Sequence, residues 1–165
     1  MPRIQNFTFK VVATNQQANE LAVDGLDFRS YVVNARQRLD KGAVAFCVFV
    51  DGDLAYIGWV AMTEKAKKSL TQLPFQVNFS NYEAYMGGVR VTPKYRRMGL
   101  FMYSYFKKLQ FIRERGGIAV RLAVATNNIA AQGAYAKLGA RRYAEARCLK
   151  ILWWKFWQEK TLTAA

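Results

Sequence analysis

Arg96-Arg97-Met98-Gly99 follows Val91-Thr92-Pro93 and opens a helical pattern. A strand that runs into a basic, glycine-containing turn and then a helix aims several backbone N–H groups and the positive end of a helix dipole at one place. That is a site for a phosphate-bearing anion. The turn from Arg96 through Met98, Gly99 and Leu100 to Phe101 supplies the backbone donors. Arg96 and Arg97 add direct ion pairs, and Lys94 reaches toward a more distant phosphate. A solvated basic loop is the plain alternative. Further along, Asn128 stands at a helix start, where it caps the helix, contacts a ligand, or does both. Tyr135 lies two turns along the same helix face.

Order and spacing of these residues resemble the GNAT superfamily of acyl-CoA-dependent N-acetyltransferases. The signature of that family is a strand ending in Val-x-Pro, then Gln/Arg-x-x-Gly-x-Gly/Ala at a helix start. A later strand follows, then Asn-x-x-Ala-x-x-x-Tyr-x-x-x-Gly-Phe. Here Val91-Thr92-Pro93 precedes Arg96 to Phe101, and Asn128, Ala131, Tyr135 and Gly139 fall at the second set of spacings. Two positions depart from it. Phe101 stands where Gly or Ala is usual, so its side chain is expected to point away from the cofactor. Ala140 replaces the usual Phe, leaving that core anchor to Tyr143 or to nothing.

The resemblance implies acetyl-CoA (coenzyme A) as cofactor and a small-molecule or peptide amine as acceptor. It implies that the backbone of Val89, Arg90 and Val91 lines the pantetheine arm, one N–H there polarising the thioester carbonyl. It implies that Tyr135 protonates the leaving thiolate, a task that suits a phenol, neutral at pH 7 yet able to donate. Related enzymes often take a Glu on the central strand as general base. Tyr85 holds that spacing here, and Glu83, two residues earlier on the same strand face, is the carboxylate candidate. An ordered water chain with no single base is the other option.

Composition narrows the rest. A chain of 165 residues, 52% hydrophobic and 15% aromatic, is a single folded domain over residues 1–165 rather than a disordered chain. No apolar run approaches the roughly 18–20 residues of a membrane span. The opening residues carry no apolar signal core, so a cytoplasmic location is expected. With no His, a Ser-His-Asp triad and His-ligated zinc are excluded. Cys47 and Cys148 are too far apart for a metal knuckle, and both read as small buried residues; no metal site is expected. Of the net charge of +14, residues 1–83 contribute +1 and residues 84–165 contribute +13. The basic half therefore coincides with the anion motif and attracts polyanions. A nucleic-acid- or ribosome-binding module on the same scaffold is the alternative function, although no clustered aromatic–basic motif outside the tail favours it.

These residues need elements to position them. Alternation predicts a strand from Phe7 to Ala13, and Asn15 to Leu21 reads as a turn or short helix. Asp27 caps a predicted helix from Phe28 to Leu39. Strands at 43–50 and 54–62 flank a hairpin at Asp51-Gly52-Asp53. A helical turn spans Glu64 to Leu70, and a strand from Tyr82 to Val91 contains Gly87-Gly88, a pair that marks a bulge. The longest helix runs from Met98 to Arg115, with Met98, Met102, Tyr105, Leu109 and Ile112 on its apolar face and Lys107 and Lys108 off it. A short strand occupies Ile118 to Ala125, a helix ends at Leu138-Gly139, and residues 141–157 supply two last strands. The expected fold is therefore α/β (α+β): a GNAT-like mixed, mostly antiparallel central sheet of six to seven strands flanked by about four helices. The tail around Trp153, Trp154 and Trp157 reads as core packing, with a membrane interface as rival. In such enzymes the last hairpin lines the acceptor site or a dimer contact, so a homodimer is admitted.

Overall fold

The computed structural model describes residues 2–151 and 153–162, without the side chains of Lys150, Ile151, Trp154 and Lys155. It divides into two compact units, Met1–Gln72 with Val77–Ala123, and Leu73–Gln76 with Val124–Ala165.

The first unit is built on a five-stranded sheet ordered β1-β2-β3-β4-β5. The strands are β1 (Thr8–Val12), β2 (Val44–Val50), β3 (Asp53–Ala61), β4 (Glu83–Val91) and β5 (Ala119–Arg121). The first four pair antiparallel and β5 joins β4 in parallel, so the sheet is mixed. β2 and β3 are buried almost throughout because helices cover both faces, which explains their near-continuous apolar sequence. Asp51 and Gly52 both take positive φ, the turn that matches hairpin twist.

Parity along β3 separates the two faces. Tyr56 meets α4 (Leu100–Glu114), where Lys108 sits, while Trp59 meets Phe28 and Arg38. The second face is covered by α1 (Asn15–Val23), α2 (Ala35–Asp40) and α3 (Glu64–Leu70). The helix expected over 28–39 is split. Asp27 does accept from the Arg29 N–H at 3.0 Å, but a single 3-10 turn, Arg29–Tyr31, follows. The chain then reverses at Asn34, whose φ of 60° no α-helix tolerates, before α2 begins.

The buried stripe of α4 is Leu100, Ser104, Tyr105, Lys108 and Ile112. This corrects the expected apolar face: Met102 is exposed and Lys108 is fully buried. The row at four-residue spacing faces the sheet, and Lys108 belongs to it whatever its polarity. Cys47 is buried as expected, whereas Cys148 is exposed.

The second unit holds α5 (Ile129–Lys137) and an antiparallel hairpin of β6 (Ala144–Ile151) and β7 (Trp154–Thr161). The seven strands thus form two sheets, of five and two, rather than one. Leu149 and Phe156 face each other across the hairpin and both are exposed, as is Trp153, so the core packing expected of this tail does not hold for them. The Trp154 side chain lies outside the described residues.

Candidate active site

Pro93 starts a single 3-10 turn, Pro93–Tyr95, after β4. The turn is bolted to the sheet. The Thr92 hydroxyl donates to the Leu54 carbonyl at 2.6 Å, and the buried Tyr95 hydroxyl reaches the Val50 carbonyl at 3.4 Å. Lys94 pairs with Asp53, which raises the amine's pKa and holds the carboxyl below its usual range. Lys94 is thus occupied by Asp53 rather than extended toward a distant phosphate.

The chain then changes direction twice in the left-handed region, at Arg97 (φ 63°) and at Gly99 (φ 80°). A β-carbon in that region costs about 1–2 kcal/mol, so only Gly99 adopts it freely. Gly99 caps α4 and offers no side-chain acceptor. By contrast α1, α3 and α5 are capped by the side chains of Thr14, Thr63 and Asn128. The longest described helix therefore begins with first-turn amides that no capping side chain satisfies. They open on a cleft of about 320 Å³ bordered by Val91, Arg96, Arg97, Gly99, Leu100 and Met102, with Tyr95 and Phe101. Phe101 is among the residues that border this cleft, and its ring lies against Tyr105 at 6.3 Å between centroids. Arg96 and Arg97 are exposed and make no ion pair among the described residues.

Behind the cleft, β4 is open on one side. It pairs with β5 only over Glu83, Ala84 and Tyr85, so from Met86 to Val91 no strand of this unit flanks that edge. On the other side the register slips between Ile57 and Trp59, which pair with Arg90 and Gly87. The extra residue is the bulge that the glycine pair announces. Gly88 has φ 59°, and a β-carbon there would meet Trp59 Cδ1 at 2.8 Å. Val89, Arg90 and Val91 follow, with unflanked main-chain groups able to pair with an extended ligand.

Glu83 sits at the closed end of β4. Its carboxylate accepts from Arg121 Nε at 3.0 Å and from the Asn78 N–H at 2.9 Å, and the Arg121 bond holds its pKa below the usual range. Tyr85 points to the opposite face from α4, where burial pushes its phenol up and the Thr71 side chain bonds it. In the second unit, Asn128 Oδ1 accepts from the Ala131 N–H at 3.1 Å, a true N-cap, and Tyr135 is buried. Lys108, with no place among the expected site residues, donates to the Tyr56 hydroxyl at 2.9 Å beneath β3. Its lysine identity argued for the solvent side, and only its spacing from Leu100 and Ile112 signalled otherwise.

A model of the acetyltransferase (GNAT) family matches residues 10–140. The chain belongs to the GNAT acetyltransferase family. It is accordingly an acetyltransferase, and the family's acyl donor is acetyl-CoA. The residues present fit that group: an uncapped helix start and two arginines without an ion pair among the described residues suit its anionic portion, and an open strand edge suits its amides.

Solved structures agree on the fold. An aminoglycoside N-acetyltransferase in complex with CoA superposes with TM-score 0.58 at 14% identity, over 82% of this chain and 92% of the other. An acetyltransferase of Trypanosoma brucei gives 0.58 at 16%, over 88% and 100%. A GNAT-family acetyltransferase of Streptococcus pneumoniae gives 0.57 at 16%, over 95% and 100%. No curated protein matches the sequence. Among the described residues no helix is long and apolar enough to cross a membrane, and no cluster suited to a metal ion occurs.

Proposed function

We propose that this GNAT enzyme acetylates a primary amine by direct attack within a ternary complex. The carrying observation is the α4 N-terminus, where first-turn amides that no side chain caps and Arg96-Arg97 border one cleft. In this reading the N–H groups from Met98 to Phe101 donate to the diphosphate and the two arginines pair with it. The main chain of Val89, Arg90 and Val91 holds the pantetheine arm along the open edge of β4. Acetyl-CoA supplies the acetyl group, activated as a thioester.

Tyr135 then donates its phenolic proton to the departing sulfur, and Asn128, besides capping α5, contacts the cofactor. The pairing of Glu83 with Arg121 and its lowered pKa favour a role in positioning β4 over that of general base. The amine proton leaves through ordered water. Cys47 supports direct transfer, because burial pushes its thiol up and leaves it a poor nucleophile.

The test is calorimetric titration of coenzyme A into the protein. One-to-one binding, lost when Arg96 and Arg97 are both replaced by Glu, is expected. Release of free thiol with a panel of amines then reports transfer. Saturating coenzyme A that gives no heat and no rise in melting temperature would overturn the reading.

A further inference from the structure

The face of the sheet turned away from α4 carries polar groups that donor binding does not use. Trp59 is fully buried on β3, and its indole Nε1 has no hydrogen-bond partner. Arg38, from α2, lies over that ring with its guanidinium carbon 5.3 Å from the centroid. Arg38 Nε is likewise buried and unpartnered, and burial lowers the side chain's pKa. Among the described residues no carboxylate pairs with Arg38. Both side chains converge on the β4 bulge. A β-carbon on Gly88 would lie 3.5 Å from Arg38 Nη1 and 3.6 Å from Trp59 Nε1. Arg90, on the same face by its pairing with Ile57, donates to the Tyr31 carbonyl at 2.9 Å and adds a second cation.

Buried donors without acceptors are uncommon, and a partly desolvated guanidinium without an acid is costly unless something anionic meets it. A carboxylate is the group that fits. It is planar, accepts two guanidinium N–H bonds at once, and carries the single charge that Arg38 lacks. The Arg38 end adjoins the bulge, so an acceptor bound there has its carboxylate only a few bonds from its amine.

We propose that Arg38 and Trp59 recognise the acceptor, and that the acceptor is a small amino acid whose carboxylate docks on this pair. The proposal rests on the reading above that transfer occurs along β4. Polycationic amines are then disfavoured, because Arg38 and Arg90 repel them.

Matched acceptors test this: amino acids, their carboxamides, the corresponding decarboxylated amines, and an aminoglycoside. The expected result is kcat/KM at least tenfold higher for the acids. Arg38→Gln should raise KM for the acids about tenfold more than it raises KM for uncharged amines. Arg38→Lys should recover only part of it. Equal or better turnover of amides, amines or the aminoglycoside overturns the proposal, as does an equal effect of Arg38→Gln on all acceptors.

A second measurement does not need turnover. With coenzyme A bound, the indole N–H resonance of Trp59, assigned through Trp59→Phe, should shift on adding glycine or alanine and not their amides. No shift in the wild-type protein overturns the proposal. Coenzyme A binding heat is measured alongside; if it is intact while acceptor selectivity is absent, only this inference fails, and if it is absent, the donor-site reading fails.

Discussion

Lys108 Nζ lies 2.9 Å from the Tyr56 hydroxyl, and both side chains are fully buried between α4 and β3. Gly58 leaves the room: a β-carbon there would stand 2.5 Å from the Tyr56 oxygen and 2.9 Å from Lys108 Nζ. Burial lowers the amine's pKa from 10.5 to about 7. Ser104 Oγ, one turn earlier on α4, is buried without a partner.

That pair sets a pH dependence of stability. Between about 7 and 10.5 the unfolded chain holds a proton on Lys108 that the folded chain has released. Stability therefore rises with pH across that window and is flat in this group below it. Cys47 and Tyr85 act in the opposite sense, because burial raises their pKa values and the unfolded chain ionises first at alkaline pH. The melting temperature should climb from pH 7 to about 9, level off where Lys108 and Cys47 oppose each other, and fall above about 10. Lys108→Met should remove the climb and raise stability at pH 7. Thermal melts of both proteins from pH 6 to 10 check this; parallel curves would show that Lys108 does not titrate in the window.

Arg97 is held at φ 63° within the turn that leads into α4, a position suited to glycine. Arg97→Gly should stabilise the fold by about 1 kcal/mol while weakening coenzyme A binding roughly tenfold. Opposite signs in a urea melt and a binding titration are the expected signature. Gains in both would mean that the arginine does not touch the cofactor.

Gly88 combines a positive φ with a β-carbon position 2.8 Å from Trp59 Cδ1. Gly88→Ala should cost about 1–3 kcal/mol through strain and displacement of a buried ring. Because the bulge adjoins the open edge of β4, acetyl transfer should drop along with stability. Chemical denaturation and thiol-release rates on one preparation measure both.

Glu83 ties β4 to β5 through Arg121 and to residue 78 through its backbone N–H. Its pKa is lowered, so its stabilisation is complete above pH 4.5, the ordinary carboxyl value, and disappears as pH falls through the lower folded value. Glu83→Gln should destabilise the protein by about 1–3 kcal/mol at pH 7 and flatten the acid limb of its stability. The rising, acid-side limb of the rate–pH profile should keep its midpoint. Loss of that limb would identify Glu83 as the general base after all.

What was legible along the chain is what neighbours in sequence impose on one another. Val91, Pro93, Arg96 and Gly99 define the turn into α4 within nine residues, and the Asn128 cap lies three residues from the N–H that it accepts. Gly87-Gly88 announced the bulge because a strand otherwise excludes two adjacent glycines. The helix expected over 28–39 misled for the same local reason. Its apolar spacing was sound, but the reversal at Asn34 and the Arg29–Tyr31 turn bring Phe28 and Arg38 together on Trp59, a requirement imposed from β3.

Partners remote in sequence were decided by the tertiary structure alone. Lys108 finds Tyr56 across 52 positions, Glu83 finds Arg121 across 38, and Lys94 finds Asp53 across 41. In each case residue type pointed to solvent or to chemistry, and sheet register supplied a partner within the protein. A charged side chain can be buried or tied down only when a distant strand or helix delivers its partner. That delivery depends on the order of β1 to β5 and on the face each element covers, which no local spacing encodes.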